Sequence, residues 1–137
     1  MNSSPTFIGV HLTVRDMVAS AGFYRELGLG VPNDADLGEH VEIDLGGGAH
    51  LALSTERVTR MYDPGWRTPQ TPPAGALQFQ VRERTDVDAL YGRLLEAGHS
   101  GHLGPIDAFW GNRYAEIEDP DGNVVGIHSP TDASKRS

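Results

Sequence analysis

Two histidines and a glutamate are the residues of this sequence whose types most directly suggest chemistry. His11 and His128 lie in alternating apolar segments near the two ends of the chain, and Glu116 lies in a third such segment. These residue types could bind a metal ion, orient a ligand through hydrogen bonds, or supply a general base at Glu116. Their spacing alone leaves the three interpretations open.

Composition excludes several other kinds of chemistry. The chain has no cysteine, which excludes disulfides, thiolate catalysis and zinc-thiolate sites, and no Ser, His and Asp set can be assembled from the spacing. It has 137 residues, and 11 Lys and Arg stand against 19 Asp and Glu, for a formal net charge of -8. Because the basic residues are scattered, we expect neither nucleic acid nor a membrane surface as a partner, and we expect a cytoplasmic protein.

The first half of the sequence predicts a strand, a helix and three further strands. Residues 7–14 (FIGVHLTV) alternate strictly between apolar and other residues, which is typical of a half-buried strand. Asp16 can cap a helix that ends at Gly28. Short strands are then expected at Leu29–Val31, His40–Gly46 and Ala49–Ser54.

The second half repeats this pattern at an offset of about 67 to 70 residues. Residues 75–81 alternate again, Thr85 and Asp88 suggest a capping box for a helix that ends at Gly98, and the turn DPDGN joins two strands. We expect a single domain of two modules, 6–54 and 75–130. The connection 55–74 is expected to contain no regular element, and the tail 131–137 to be disordered.

The faces of these strands opposite the aliphatic ones carry small residues, rings, histidines and amides rather than long charged side chains. Such a mixture suits the concave wall of a binding site. The expected wall residues are Phe7, Gly9, His11, His50, Gln78, Tyr114, Glu116, Gly126 and His128. Further aromatic candidates are Tyr62 and Trp66 in the connection, and Phe109 and Trp110 in the loop DAFWGNRY.

Three segments together carry a resemblance to a known family: a V-x-D in GVHLTVRD, the F-Y-x-x-L-G that follows it, and the later D-P-D-G-N. The chain resembles the vicinal oxygen chelate superfamily of glyoxalase I, bleomycin resistance proteins, fosfomycin resistance enzymes and extradiol dioxygenases. This resemblance implies an α+β fold of two βαβββ modules that form a cup-shaped mixed sheet, with the helices on its outer face. It also implies a homodimer with cups at the module interface, without indicating which chain supplies which wall.

The positions at which metal-dependent members keep their ligands are informative in this chain. Carried over by the resemblance, they fall on Gly9, Ala52, Ala76 and Gly126, none of which has a donor side chain. The lack of donors at these four positions argues against glyoxalase I, epoxide-opening and extradiol chemistry. It favours the metal-free branch of the family, typified by bleomycin resistance proteins. On this interpretation Gly126 leaves space for a large, flat ligand.

The sequence therefore predicts a protein that sequesters a bulky aromatic natural product or antibiotic, with no cofactor, no metal and no catalytic residue. The alternative is a glyoxalase- or dioxygenase-like enzyme. Such an enzyme would use displaced metal ligands at His11, Glu116 and His128, or it would be metal-free with Glu116 as the base.

Overall fold

In the computed structural model, which describes residues 4–71 and 73–136, the chain divides into two compact units. The first unit is Met1–Thr68 and the second is Pro69–Ser137. Each unit has its own sheet. The fold class is α+β, as the sequence predicts.

The first unit is built on a three-stranded sheet in the order β1-β3-β2, with β1 at Gly9–Val14, β2 at His40–Gly46 and β3 at Ala49–Thr55. β1 and β3 are parallel, and β2 and β3 are antiparallel. Residues that pair across the strands share a face of the sheet. One face is aliphatic and includes Leu51, Leu53, Val41 and Ile43, all buried.

Helix α1 (Met17–Leu27) buries Phe23 and Tyr24 and packs against β3. Asp16 caps its start by accepting a hydrogen bond from the Ala19 amide at 3.2 Å. Gly28 ends it with a left-handed φ of 108°, a conformation that a glycine adopts without steric penalty. Both predicted helix ends are therefore confirmed.

Two expectations for the first unit were wrong. Residues 29–31 form no strand, and they lead through Pro32 into a short 3-10 helix at Ala35–Leu37. Proline has no amide hydrogen for a sheet ladder, which disfavours a continuing strand at this point. The connection contains a helix, α2 (Glu56–Tyr62), whose start is capped by Thr55 through a 3.3 Å bond from the Val58 amide.

The second unit has a four-stranded sheet in the order β4-β7-β6-β5. Its strands are β4 at Ala76–Gln80, β5 at Ser100–Asp107, β6 at Arg113–Glu118 and β7 at Val124–His128. β4 and β7 are parallel, and the other pairs are antiparallel. The predicted turn between β6 and β7 is held by Asp119, which accepts hydrogen bonds from the backbone amides of Asp121 and Asn123 at 3.0 and 2.8 Å.

Helix α3 (Arg84–Glu96) covers the aliphatic face of this sheet with Val87, Leu90 and Leu94. The expected capping box at Thr85 and Asp88 was wrong, because the helix begins earlier and Glu83 and Asp86 form the box. Asp88 instead accepts two bonds of 2.9 Å from the Arg113 guanidinium on β6. The helix is thereby tied to the sheet by a paired charge as well as by apolar packing.

The described part of the tail, expected to be disordered, is folded onto the second unit. It contains a 3-10 helix at Ala133–Lys135. The Asp132 amide donates to the Gly111 carbonyl at 2.9 Å, and Arg136 Nε donates to the Trp110 carbonyl at 3.0 Å. Ser137 lies outside the described residues. Among the helices of the described ranges, none is both long and apolar enough to span a membrane.

Candidate functional site

The polar face of the first unit carries a connected set of side chains. β-sheet register places His11 beside Ala52 and Glu42, and Thr13 beside Ser54 and His40. The Ser54 hydroxyl, which is fully buried, lies 2.7 Å from His11 Nε2 and 2.7 Å from His40 Nδ1. His40 Nε2 lies 3.2 Å from Glu42 Oε2. We call these four residues, His11, Ser54, His40 and Glu42, the first-unit chain.

The direction of the hydrogen bonds in the first-unit chain follows from the carboxylate at its end. An ionised Glu42 only accepts, so His40 Nε2 carries a proton, and in the neutral form of the His40 ring Nδ1 is then an acceptor. The Ser54 hydroxyl donates to that nitrogen and accepts from His11 Nε2. The Nδ1 atom of His11 is left with its lone pair, and it has no protein partner among the described residues.

The second unit carries a corresponding set at the equivalent register positions. Gln78 lies beside Gly126 and Glu116, and Gln80 lies beside His128 and Tyr114. Asn112 Nδ2 donates to His128 Nδ1 at 2.8 Å, which leaves the His128 proton on Nε2, where it is donated to Gln78 Oε1. The Tyr114 hydroxyl donates to Glu116. We call Asn112, His128, Gln78, Tyr114 and Glu116 the second-unit chain.

Two ionisable groups of the second-unit chain are shifted. Burial raises the pKa of Tyr114 to about 12, and donation to Glu116 adds to the shift, while a hydrogen bond from Gln78 opposes it. Burial also lowers the pKa of His128 from its ordinary 6.5, and the negative charge of Glu116 opposes that shift. His128 is therefore a neutral hydrogen-bonding group at neutral pH.

An open cleft of about 360 Å³ lies in the second unit beside this chain. Its lining consists of Gln78, Phe79, Gln80, Trp110, Asn112, His128, Ser129 and Thr131. Trp110 is 37% exposed, and its ring lies 5.8 Å from that of Tyr114, whose ring lies 4.4 Å from that of His128. The volume is within the usual range of ligand sites, roughly 300 to 1,000 Å³.

One buried acceptor in the lining of the cleft has no protein partner. Asn112 is 3% exposed, and its Nδ2 is used by His128 and by the Ser129 carbonyl at 3.4 Å. Its Oδ1 has no hydrogen bond among the described residues. A buried acceptor without a partner is unfavourable, so a ligand N–H or O–H that reached it would restore the lost bond.

The structure brings some of the predicted site residues together within each unit. Gln78, Trp110, Tyr114, Glu116 and His128 belong to the second-unit chain or line the cleft beside it. The Phe109 and Trp110 rings are nearly perpendicular, with a centroid distance of 5.0 Å, but Phe109 does not line the cleft.

In the first unit, Tyr62 lies 6.2 Å from His11 between ring centroids, and His50 Nε2 lies 3.9 Å from Glu42. Trp66 instead stacks under Arg60, and Phe7 is 74% exposed. Neither of these two belongs to the first-unit chain.

The expectation that Gly126 leaves space for a ligand was wrong. A Cβ there would lie 3.0 Å from Gln78 Cδ and 3.1 Å from Tyr114 Cε1, so the Gln78 side chain already occupies that space. A glycine is required at position 9 for a different structural reason. Its φ of 151° and its close approach to the His50 carbonyl exclude a side chain in this backbone arrangement.

These residues do not fit the metal that many members of the resembled family bind. Gly9, Ala52, Ala76 and Gly126 offer no donor, and the space at Gly126 is filled by an amide that already bonds His128. Within the described ranges, no group of three or more histidines and carboxylates is arranged to hold a metal ion.

The sequence did not indicate four members of the first-unit and second-unit chains. These are Ser54 as a link between histidines, His40, Glu42 and Asn112. The alternation of HVEIDLG places His40 and Glu42 opposite Val41 and Ile43, which is a signal for a shared polar face. No pattern indicates Asn112, because its position depends on how the loop before β6 folds.

Comparison with known proteins agrees with this fold. The family model described as the glyoxalase/bleomycin resistance protein/dioxygenase superfamily matches residues 7–127. No curated protein matched the sequence. The chain therefore belongs to the glyoxalase/bleomycin resistance protein/dioxygenase superfamily.

Solved structures of similar fold come from several bacteria. A glyoxalase-related enzyme from Fulvimarina pelagi is 27% identical with a TM-score of 0.75, and the match covers 90% of this chain and 87% of that one. Hypothetical protein SA1046 from S. aureus is 22% identical, with a TM-score of 0.75 and 94% coverage of both chains. A lactoylglutathione lyase from Agrobacterium tumefaciens is 20% identical, with a TM-score of 0.66 and coverage of 94% and 96%.

Proposed function

We propose that this protein binds and sequesters a bulky, flat aromatic natural product or antibiotic, as bleomycin resistance proteins do, without a bound metal and without turnover. The observation that carries the proposal is the cleft of the second unit, in which a partly exposed Trp110 adjoins hydrogen-bonding side chains. A flat ligand stacked on an indole gains on the order of 1 kcal/mol beyond the burial of its surface.

The polar groups of the cleft give the ligand its orientation in this proposal. Gln78 and His128 are already bonded to each other, so they present fixed rather than mobile surfaces. Asn112 Oδ1 is buried and has no protein partner in the described structure, so a ligand donor that displaced the side chains covering it would supply the missing hydrogen bond. Ligands with an amide, amine or hydroxyl beside a flat ring are therefore favoured.

The alternative, a metal-dependent glyoxalase or dioxygenase, is supported by the names of relatives and not by the donor set. The Fulvimarina protein is described as an enzyme and the Agrobacterium protein as a lactoylglutathione lyase. In this chain the four positions at which the metal-dependent members bind their ion are glycine or alanine. A metal-free enzyme with Glu116 as base is also disfavoured, because Tyr114 already donates to that carboxylate.

The proposal predicts that flat aromatic antibiotics raise the thermal unfolding temperature of the purified protein. A ligand at 100 times its Kd stabilises the folded state by about 2.7 kcal/mol. Differential scanning calorimetry against a panel of such antibiotics, with Trp110→Ala as the matched variant, measures this shift. We expect at least one compound to raise the Tm of the wild type and to have little effect on Trp110→Ala.

The same preparation separates binding from catalysis. We expect elemental analysis to find far less than one transition metal ion per chain, and chromatography to recover the bound compound unchanged. One tightly held metal ion per chain, or conversion of the compound during incubation, would contradict the proposal.

A further inference from the structure

The first unit contains an imidazole whose free nitrogen is oriented by its neighbours. His11 lies on β1 and is exposed, and its Nε2 is fixed by the buried Ser54 hydroxyl at 2.7 Å. With His40 in its neutral form, each member of the first-unit chain donates toward the Glu42 carboxylate at its end. His11 Nδ1, the ring nitrogen that does not contact Ser54, is consequently held as an acceptor.

We propose that this arrangement is a proton-accepting site for phenolic ligands, in which His11 Nδ1 is the base and Ser54, His40 and Glu42 keep it in the accepting form. The site is independent of the cleft proposed above to bind aromatic compounds. It lies in the other compact unit and uses none of the cleft residues.

The proton transfer is balanced within the site. The phenol O–H bond breaks, its electron pair stays on the oxygen as phenolate, and an N–H bond forms at His11 Nδ1. The resulting imidazolium still donates its Nε2 proton to Ser54, and Ser54 still donates to His40. Glu42, the last member of the first-unit chain, supplies the negative charge that stabilises the new cation.

The neighbours that face His11 from other elements support this assignment. β2 contributes His40 and Glu42, and β3 contributes His50, whose Nε2 lies 3.9 Å from Glu42 Oε1. The His40 ring meets that of His11 edge-on at 5.7 Å. No arginine or lysine pairs with Glu42 among its described ion pairs, so its charge is available to the histidines.

A phenol is the indicated acid because the site has an aromatic neighbour. Tyr62, at the end of α2, is 62% exposed, and its ring lies 6.2 Å from the His11 ring with an interplanar angle of 30°. Helix α2 is joined to β1 by the 2.8 Å hydrogen bond between Thr59 and Thr13, which keeps that ring near His11. An aromatic ring beside a base favours ligands that pair a ring with an acidic hydroxyl.

The direct test uses 4-nitrophenol, whose phenolate form absorbs visible light and whose neutral form does not. At a pH where the free compound is mostly neutral, we expect saturable growth of the phenolate band with added wild-type protein. His11→Asn, an exposed substitution that does not threaten folding, should reduce that growth about 10-fold. His102→Gln, which removes an exposed histidine of the second unit, should leave it unchanged.

Two variants test the role of the chain separately from that of the base. Glu42→Gln keeps an acceptor for His40 but removes the charge, and it should lower the phenolate signal about 3-fold. Ser54→Ala removes the hydroxyl that links His11 to His40. Nitrogen-15 NMR of the full-length protein should then show His11 as a mixture of tautomers instead of the Nε2–H form alone.

Two results would overturn this proposal. One is a phenolate signal that is undiminished in His11→Asn, and the other is a His11 ring in the wild type with its proton on Nδ1. Neither result depends on Trp110, so the failure of this proposal and the failure of antibiotic binding are distinguishable.

Discussion

Single buried polar side chains organise both candidate sites. Ser54 is fully buried, and its hydroxyl links two histidines that would otherwise have no fixed tautomer. Asn112 has the same effect on His128, because an amide N–H directed at Nδ1 leaves the ring proton on Nε2. A hydrogen bond of each small side chain thus determines what a larger neighbouring ring can offer to a ligand.

The lowered pKa of His128 predicts a pH dependence of stability. Below about pH 6.5 the unfolded chain binds a proton at this residue that the folded chain resists, so stability falls as the pH drops. Urea unfolding at about pH 7.5 and about pH 5.5 should show a larger loss for the wild type than for His128→Gln. Equal losses in the two proteins would mean that burial does not disfavour the charged ring.

At the residue scale, strand alternation was enough to place His11, His128, Gln78 and Glu116 on polar faces. It could not predict which partner each would find, since partners depend on the register between strands far apart in sequence. Gly126 illustrates the difference. The pattern indicated a small residue on the inner face, but only the packed structure shows that Gln78 fills the space beside it.

Secondary structure elements were predictable where the sequence contains specific end signals. Asp16 and Gly28 bound α1 as expected. For α3, an acidic residue at position 83 competed with the threonine at position 85, and the earlier cap formed, with Asp86 completing it. α2 was missed because its seven residues lie in a proline-rich connection and are too few to show a clear helical period.

The C-terminal segment acts on the cleft through the loop that carries Trp110. The Asp132 amide bonds the Gly111 carbonyl, and Arg136 bonds the Trp110 carbonyl. Thr131 itself lines the cleft. The orientation of Trp110 therefore depends on a segment for which the sequence predicts disorder.

Removal of residues 131–137 should loosen the Trp110 loop. In a Trp66→Phe background, where Trp110 is the remaining tryptophan, we expect emission at longer wavelength and stronger quenching by acrylamide after the deletion. Lys135→Ala is the matched control, since no described bond of that side chain reaches the loop. Identical spectra before and after the deletion would contradict a positioning role for the tail.

On the scale of the whole molecule, the two units repeat one design. His11, Ser54, His40 and Glu42 stand at the register positions of Gln78, His128, Tyr114 and Glu116. The duplication was visible in the sequence, and so was membership of the superfamily. The two copies differ most where β5 of the second unit has no counterpart in the first, whose chain passes through Pro32 and a 3-10 helix instead.

Assembly and location stay predictions at this scale. The resemblance implies a homodimer, for which sedimentation would give twice the chain mass of 14.8 kDa. A cytoplasmic location and a preference for neutral or cationic compounds likewise stay predictions from composition.

The proposed function requires that the cleft beside Trp110 hold a flat aromatic ligand without a metal. Its most direct test is fluorescence titration of the Trp66→Phe protein with the antibiotic that most raises the Tm, in buffer with and without EDTA. We predict saturable quenching of Trp110 at one ligand per chain, unchanged by the chelator. Quenching that is absent in this variant but present in Trp110→Phe, or that EDTA abolishes, would contradict the proposed function.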